Sequence, residues 1–248
     1  VFIAGFPANA FGTNCFVVAT APGEECVVVD PGMRGTGQLD DLLAEHRLAP
    51  VAVLLTHGHL DHTFSVTPVC HARGIPAYLH PGDDDMLVDP IKGLSADITE
   101  LFGGSFEWAE PEDVRQLSDG EAVTLAGIEI TVDHAPGHTR GSVLFRFPTD
   151  PSSPLRFAGR PGRVADEAPV CLSGDVLFAG SIGRTDLPGG NSEAMFASLR
   201  DRILPLPDET VVLPGHGPAT TIGRERATNP YLRQVADAKP GATPTRGW

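Results

Sequence analysis

Apolar positions along the chain fall into short runs of two kinds. Val1–Phe6, Cys15–Thr20 and Cys26–Asp30 are rich in β-branched and aromatic residues and are separated by turn residues, which predicts three strands. Val51–Leu55 is continuously apolar, the pattern of a strand covered on both faces. Gln38–His46 instead sets Leu39, Leu42 and Leu43 on one helical face. Helices are also predicted over Phe64–Arg73, Asp83–Val88, Ser192–Arg202 and Arg224–Asn229. Further strands are predicted over Ala77–Leu79, Val114–Gln116, Ala122–Leu125, Ile128–Asp133, Ser142–Phe147, Val170–Leu172 and Thr210–Leu213. Strands alternate with helices, yet hairpins early and midway break a pure βαβ rhythm. The pattern favours a layered α/β or α+β sandwich over a barrel of eight equal units. The chain is expected to be one domain over 1–248, with a surface insertion at 148–169, rich in Pro, Gly, Ser and Arg, and a flexible tail at 239–248.

Composition narrows the classes. Of 248 residues, 41% are hydrophobic, enough for a substantial core, while a net charge of −14 opposes duplex nucleic acid and anionic membranes as partners. With 28 Gly and 23 Pro the chain is turn-rich but below the level that suggests disorder. Cys15, Cys26, Cys70 and Cys171 form no C-x-x-C pair, so buried thiols are expected and not disulfides. No apolar run approaches a membrane span, and Val1–Gly5 lacks the basic flank of a signal peptide. The expected compartment is the cytoplasm.

The chemistry concentrates in Thr56-His57-Gly58-His59-Leu60-Asp61-His62, directly after a predicted strand. Three imidazoles and a carboxylate fall within six positions, and imidazoles so close together repel once protonated unless something supplies charge. A divalent metal does so, and imidazole with carboxylate suits zinc, iron or manganese. Three other runs end similarly: Ile128–Asp133 leads to Pro136-Gly137-His138, Val170–Leu172 to Gly174-Asp175, and Thr210–Leu213 to Pro214-Gly215-His216. If these strands share a sheet and an orientation, their loops meet at one edge, where open α/β sheets bind ligands. A lone Pro-Gly-His is more often a turn than a ligand; the four segments in this order carry the signal together.

Those four segments resemble the five-motif signature of the metallo-β-lactamase superfamily, over about Val1 to Leu232. Gly183-Arg184-Thr185-Asp186 and Pro214–Pro218 resemble the small glyoxalase II-like hydrolases in particular. The resemblance implies a four-layer αββα sandwich of the metallo-β-lactamase type. It implies that His57, His59 and His138 hold one metal, and Asp61, His62 and His216 a second. Asp175 would bridge the two with a water or hydroxide, and Asp61 and Asp175 are the candidate catalytic carboxylates. Seven ligands exceed the four of a tetrahedral zinc and suit two divalent ions, zinc by preference with iron or manganese as alternatives. The implied reaction is hydrolysis of a small-molecule thioester, by attack of a metal-bridging hydroxide on its carbonyl. Asp30, His134, Arg184 and Asp186 are candidates for supporting the ligands from behind, with Arg184 and Asp186 expected chiefly to pair with each other.

The glutathione-binding C-terminal region of full-length glyoxalase II is not recognisable. With only Lys92, Lys239, Tyr78 and Tyr231 in the chain, the usual lysine and tyrosine contacts to glutathione cannot be placed. Alternatives within the resemblance are a mononuclear-iron persulfide dioxygenase and, less favoured, a β-lactamase or an RNA-processing nuclease. In the common zinc β-lactamases a Cys stands where Asp175 does, and the acidity of the chain opposes a nuclease. A non-catalytic metal-binding or interaction protein is the alternative from another class.

Overall fold

The computed structural model describes residues 1–8, 11–95, 108–147 and 168–237, with the backbone of 156–158. The first sheet contains β1 (Phe2–Pro7), β2 (Asn14–Ala19), β3 (Glu25–Val29), β4 (Ala49–Leu54), β5 (Ala77–Leu79), β6 (Val114–Gln116) and β10 (Arg156–Ala158), in the order β10-β1-β2-β3-β4-β5-β6. The second contains β7 (Ala122–Leu125), β8 (Ile128–His134), β9 (Val143–Phe147), β11 (Val170–Gly174), β14 (Val211–Pro214) and β15 (Thr220–Thr221), in the order β15-β14-β11-β9-β8-β7. A hairpin of β12 (Leu177–Phe178) and β13 (Ser181–Ile182) stands apart.

Side chains alternate across each strand, and here both faces are apolar. Val27, Val29, Ala52 and Leu54 of the first sheet meet Ile130, Val132, Phe145, Val170, Leu172 and Leu213 of the second in one central core. The intervening residues point outward. Cys26, Val28, Val53 and Leu55 pack under α1 (Thr36–His46) and α3 (Val66–Arg73) through Leu39, Leu43, Val66 and Val69. Leu144, Cys171 and Val212 pack under α5 (Ser192–Ser198), α6 (Ile222–Thr228) and α7 (Pro230–Asp237) through Met195, Ile222, Leu232 and Val235. The layers are therefore helix, sheet, sheet, helix, as expected. All four cysteines are buried free thiols. No helix among the described residues is long and apolar enough to cross a membrane.

One expectation is corrected. The four metal-signature loops do not leave a single sheet. β4 lies in the first, whereas β8, β11 and β14 lie in the second, mutually parallel because β9 runs antiparallel to both β8 and β11. The sheets meet at that edge, where the Val143 amide donates to the Thr56 carbonyl at 2.9 Å. Within the expected insertion, Arg156–Ala158 forms an edge strand parallel to β1, and Ala168 is buried in the central core. Residues 148–155 and 159–167, and the tail from 238, lie outside the described residues. The helix expected over Ser192–Arg202 is α-helical to Ser198 and continues as a π-helical turn, Leu199–Ile203. Helix α7 had no counterpart in the sequence reading.

Candidate metal centre

His57 and His59 follow β4, and Asp61 and His62 lie on α2 (Leu60–Thr63). His138 follows β8, Asp175 follows β11 and His216 follows β14. The structure brings all seven together. His59 Nδ1 lies 3.1 Å from His57 Nε2 and 2.8 Å from His138 Nε2. His216 Nε2 lies 3.1 Å from Asp61 Oδ2 and 3.3 Å from His62 Nε2. Between these trios sits Asp175, with Oδ2 at 3.6 Å from both His138 Nε2 and His216 Nε2 and Oδ1 at 3.5 Å from His62 Nε2. Three sets of donors, His57/His59/His138, His57/His62/Asp175 and Asp61/His62/His216, each have ligand atoms within 4.8 Å of one another and could hold an ion.

The hydrogen bonds behind the rings decide which nitrogen faces inward. Asp30 is the hub. It accepts from the Thr56 amide at 2.8 Å, from the Thr56 hydroxyl at 2.6 Å and from His62 Nδ1 at 2.9 Å. The Thr56 oxygen, its proton given to Asp30, accepts from His57 Nδ1 at 3.0 Å. The Arg184 carbonyl accepts from His138 Nδ1 at 2.8 Å. His57 and His138 thus each turn a bare Nε2 inward, and His62 does so once its Nε2 proton is lost. Only His59 has a proton free to place among the three nitrogens of its trio, and its buried Nε2 has no hydrogen-bond partner. Converging lone pairs with at most one proton between them form a donor set that a cation satisfies.

Electrostatics separate the trios. Burial and the neighbouring imidazoles hold His57 well below the ordinary imidazole value, and burial with His138 brings His59 down to about 3. Burial also works against a charge on His62, but Asp61, Asp30 and Asp175 raise it to about 10. His216 is raised as well, its hydrogen bond to Asp61 and the Asp175 charge outweighing burial.

Backbone geometry makes the approach possible. Gly174 adopts φ +47°, and a Cβ there would stand 2.6 Å from the Thr56 side chain. A Cβ on Gly215 would stand 2.2 Å from Asp175 Oδ1. Asp30 itself adopts φ +48°, a left-handed conformation costly for a residue with a side chain and held here by its buried bonds.

Of the supporting candidates, Asp30 acts as expected. Arg184 contributes its carbonyl, while its guanidinium pairs with Asp186 through two 2.8 Å bonds. His134 is a correction: its ring stacks on His80 at 4.0 Å and bonds the Arg140 carbonyl, so it supports no ligand directly.

Several contributors escaped the sequence reading. Fully buried Asp83 accepts from the Gly58 amide, the Thr139 hydroxyl and the Gly141 amide at 2.9, 2.6 and 2.7 Å, tying the His57–His59 loop to the His138 loop. Thr13 donates to Asp61 Oδ2 at 2.9 Å, and Asn14 donates to the carbonyls of Pro214 and Gly217 on either side of His216. Buried Glu225 accepts from the Gly180 amide and so fixes the β12–β13 hairpin, whose Phe178 lies edge-on to His216. Their only sequence signal is Asx, Glu or Thr in a turn, which is everywhere in this chain.

Residues 8–150 match the family model of the metallo-beta-lactamase superfamily. The chain belongs to this superfamily. An uncharacterized protein of Mycobacterium tuberculosis is 46% identical over 95% of this chain and all of its own length. The hydroxyacylglutathione hydrolase GloC of Haemophilus influenzae is 31% identical over 91% of this chain and 95% of its own. Among solved structures, the BLEG-1 B3 metallo-beta-lactamase superposes with a TM-score of 0.77 at 37% identity, over 93% of this chain and 99% of its own. TTHA1623, in a di-iron-bound form, superposes with a TM-score of 0.70 at 38% identity, over 92% and 99%. The αββα fold and a His-rich, metal-competent site at the sheet edge are thus those of a metallo-hydrolase superfamily member.

Proposed function

We propose that this protein is a binuclear metallohydrolase that cleaves thioesters of the hydroxyacyl-thiol type. The observation that carries the reading is Asp175, whose single carboxylate faces both trios at equal distance. His57, His59 and His138 would hold one ion, Asp61, His62 and His216 the other, and Asp175 would be shared. Two divalent ions so held supply a water acidified to near neutrality and a Lewis acid for a carbonyl oxygen. The likeness to TTHA1623 supports iron as readily as zinc.

The chain's own residues do the positioning. Asp30 and Thr56 set the tautomers of His62 and His57, and Arg184 that of His138. Thr13 fixes Asp61 so that its Oδ2 faces His216. The four cysteines lie in the cores, away from the cluster, and burial raises each thiol. The similarity to GloC supports the thioester class. A second reading, β-lactam hydrolysis, is supported by the likeness to BLEG-1, which is described as a B3 metallo-beta-lactamase.

The test is a hydrolysis screen of the metal-loaded protein with a thioester, a lactone and a cephalosporin, together with elemental analysis. Thioester turnover with two metals per chain is the expected result. Cephalosporin turnover without thioester turnover would transfer the assignment to the second reading. Oxygen uptake with a persulfide at one iron per chain would replace both by the dioxygenase.

A further inference from the structure

A cavity of about 490 Å³ opens over the cluster, with His59, Asp61, His138, Asp175 and His216 at its floor. Its walls are largely apolar, with Met33, Leu60, Leu94, Phe178, Ile182 and Leu187, and include two serines, Ser95 and Ser181. Among the described residues, Arg184 is the one cation lining it. The charge of that guanidinium is already paired, with Nε and Nη2 each donating to an Asp186 carboxylate oxygen at 2.8 Å, and Asp186 leaves Nη1 unengaged. An incoming carboxylate or phosphate would share a cation that Asp186 already neutralises, with most of the surrounding wall hydrocarbon, and a charge without a full partner loses its hydration there without compensation. The chain's field adds to this, since a net charge of −14 repels anions on approach.

We propose that the pocket takes thioesters whose thiol portion is uncharged and partly apolar, and discriminates against thiol carriers bearing carboxylates or phosphates. The inference rests on the thioester reading, but its origin is the cavity wall and not the metal cluster. It departs from the substrate named for GloC, because glutathione carries two carboxylates. Phe178, edge-on to His216 at 6.2 Å, and Leu94 would flank the thiol portion while the carbonyl lies over the floor.

One acyl group, lactoyl, is placed on glutathione, on N-acetylcysteamine and on benzyl mercaptan, and each ester is tested with the metal-loaded protein. The expected order of kcat/KM is benzyl mercaptan, then N-acetylcysteamine, then glutathione, with at least a tenfold gap from first to last carried mainly by KM. Calorimetry of the free thiols gives a readout independent of turnover. Benzyl mercaptan and glutathione each offer one sulfur, so a tenfold tighter binding of the former reads the wall alone. Leu187→Lys, with Leu94→Lys as the alternative should the first not fold, adds a cation to that wall and should shift the ratio of kcat/KM several-fold toward the glutathione ester. A glutathione ester that turns over as well as the neutral esters, or glutathione binding as tightly as benzyl mercaptan, would overturn the inference while leaving the thioester reading intact. If no ester is cleaved but a cephalosporin is, the thioester reading fails; tighter binding of benzyl mercaptan would then still establish the pocket's preference.

Discussion

The two trios at the sheet edge are built from similar residues and face opposite electrostatic problems. His57, His59 and His138 are buried and carry no carboxylate of their own, and lost hydration and mutual repulsion hold His57 and His59 neutral. Asp61, His62 and His216 are more open, with Asp61 and His216 side chains 25% and 29% exposed, and they share the field of Asp30 and Asp175. The first trio offers bare nitrogens waiting for charge. The second already holds opposite charges, so a cation entering it must displace a proton from His62. Ligand identity distinguishes the trios through Asp61, and the placement of Asp30 and Asp175 around His62 widens the difference.

The sharpest way to break this comparison is to remove what joins the halves. Asp175→Ala should abolish most turnover, beyond the ~10–100-fold loss typical of a residue behind the ligands. Metal stoichiometry should fall from two toward one, with the thermal melt little changed. Near-normal kcat at saturating metal would mean that one trio works alone.

Asp30→Ala comes next. Asp30 orients His62 directly and His57 only through Thr56, so the second trio should suffer more. Metal titration should show one affinity lowered ~10–100-fold and the other less. Thr56→Val should reverse the emphasis by withdrawing the acceptor of His57 Nδ1. Equal weakening of both ions in both variants would erase the distinction between the trios.

Asp83→Asn tests the clamp on the first trio. It replaces a carboxylate that accepts three hydrogen bonds by an amide with one oxygen. Leaving one buried donor unpaired costs roughly 1–3 kcal/mol, measurable by urea unfolding, and activity should fall because Gly58 and Thr139 flank ligands of that trio. Unchanged stability would show that the loops hold themselves.

The smallest effect separates burial from ligation. Burial and the neighbouring His134 lower His80 to about 4, outside the cluster. Its unfolded value is near 6.5, so below that pH the unfolded chain binds more protons and stability falls, most steeply between about 6.5 and 4. His80→Gln should flatten the slope of melting temperature against pH in that window and leave metal content unchanged. An unaltered slope would place the titration elsewhere.

Much of this was legible in the chain itself. The seven donors stood out because imidazoles and carboxylates at the ends of apolar runs have few other uses; the residue pattern supported a layered α/β or α+β sandwich, and the four αββα layers came from the resemblance to the superfamily. Asp30 was readable as a partner of the loop that follows β4. Asp83 was not, because it is one of three consecutive aspartates and nothing local says which one turns inward. His134 illustrates the converse: near His138 in sequence, it lies at the end of β8, and its ring stacks on His80 beyond β5.

The sequence by itself determined the elements, their two-faced burial and the identity of the donors, since these depend on periodicity and on residue chemistry that a few neighbours fix. Tertiary structure alone decided that the donor loops come from two sheets, that Asp175 faces both trios, that Arg184 spends its charge on Asp186, and that the cavity walls are largely hydrocarbon. Each of those facts is a distance between residues far apart along the chain. Such distances are set by the packing of the two sheets against each other, to which no single segment holds the register.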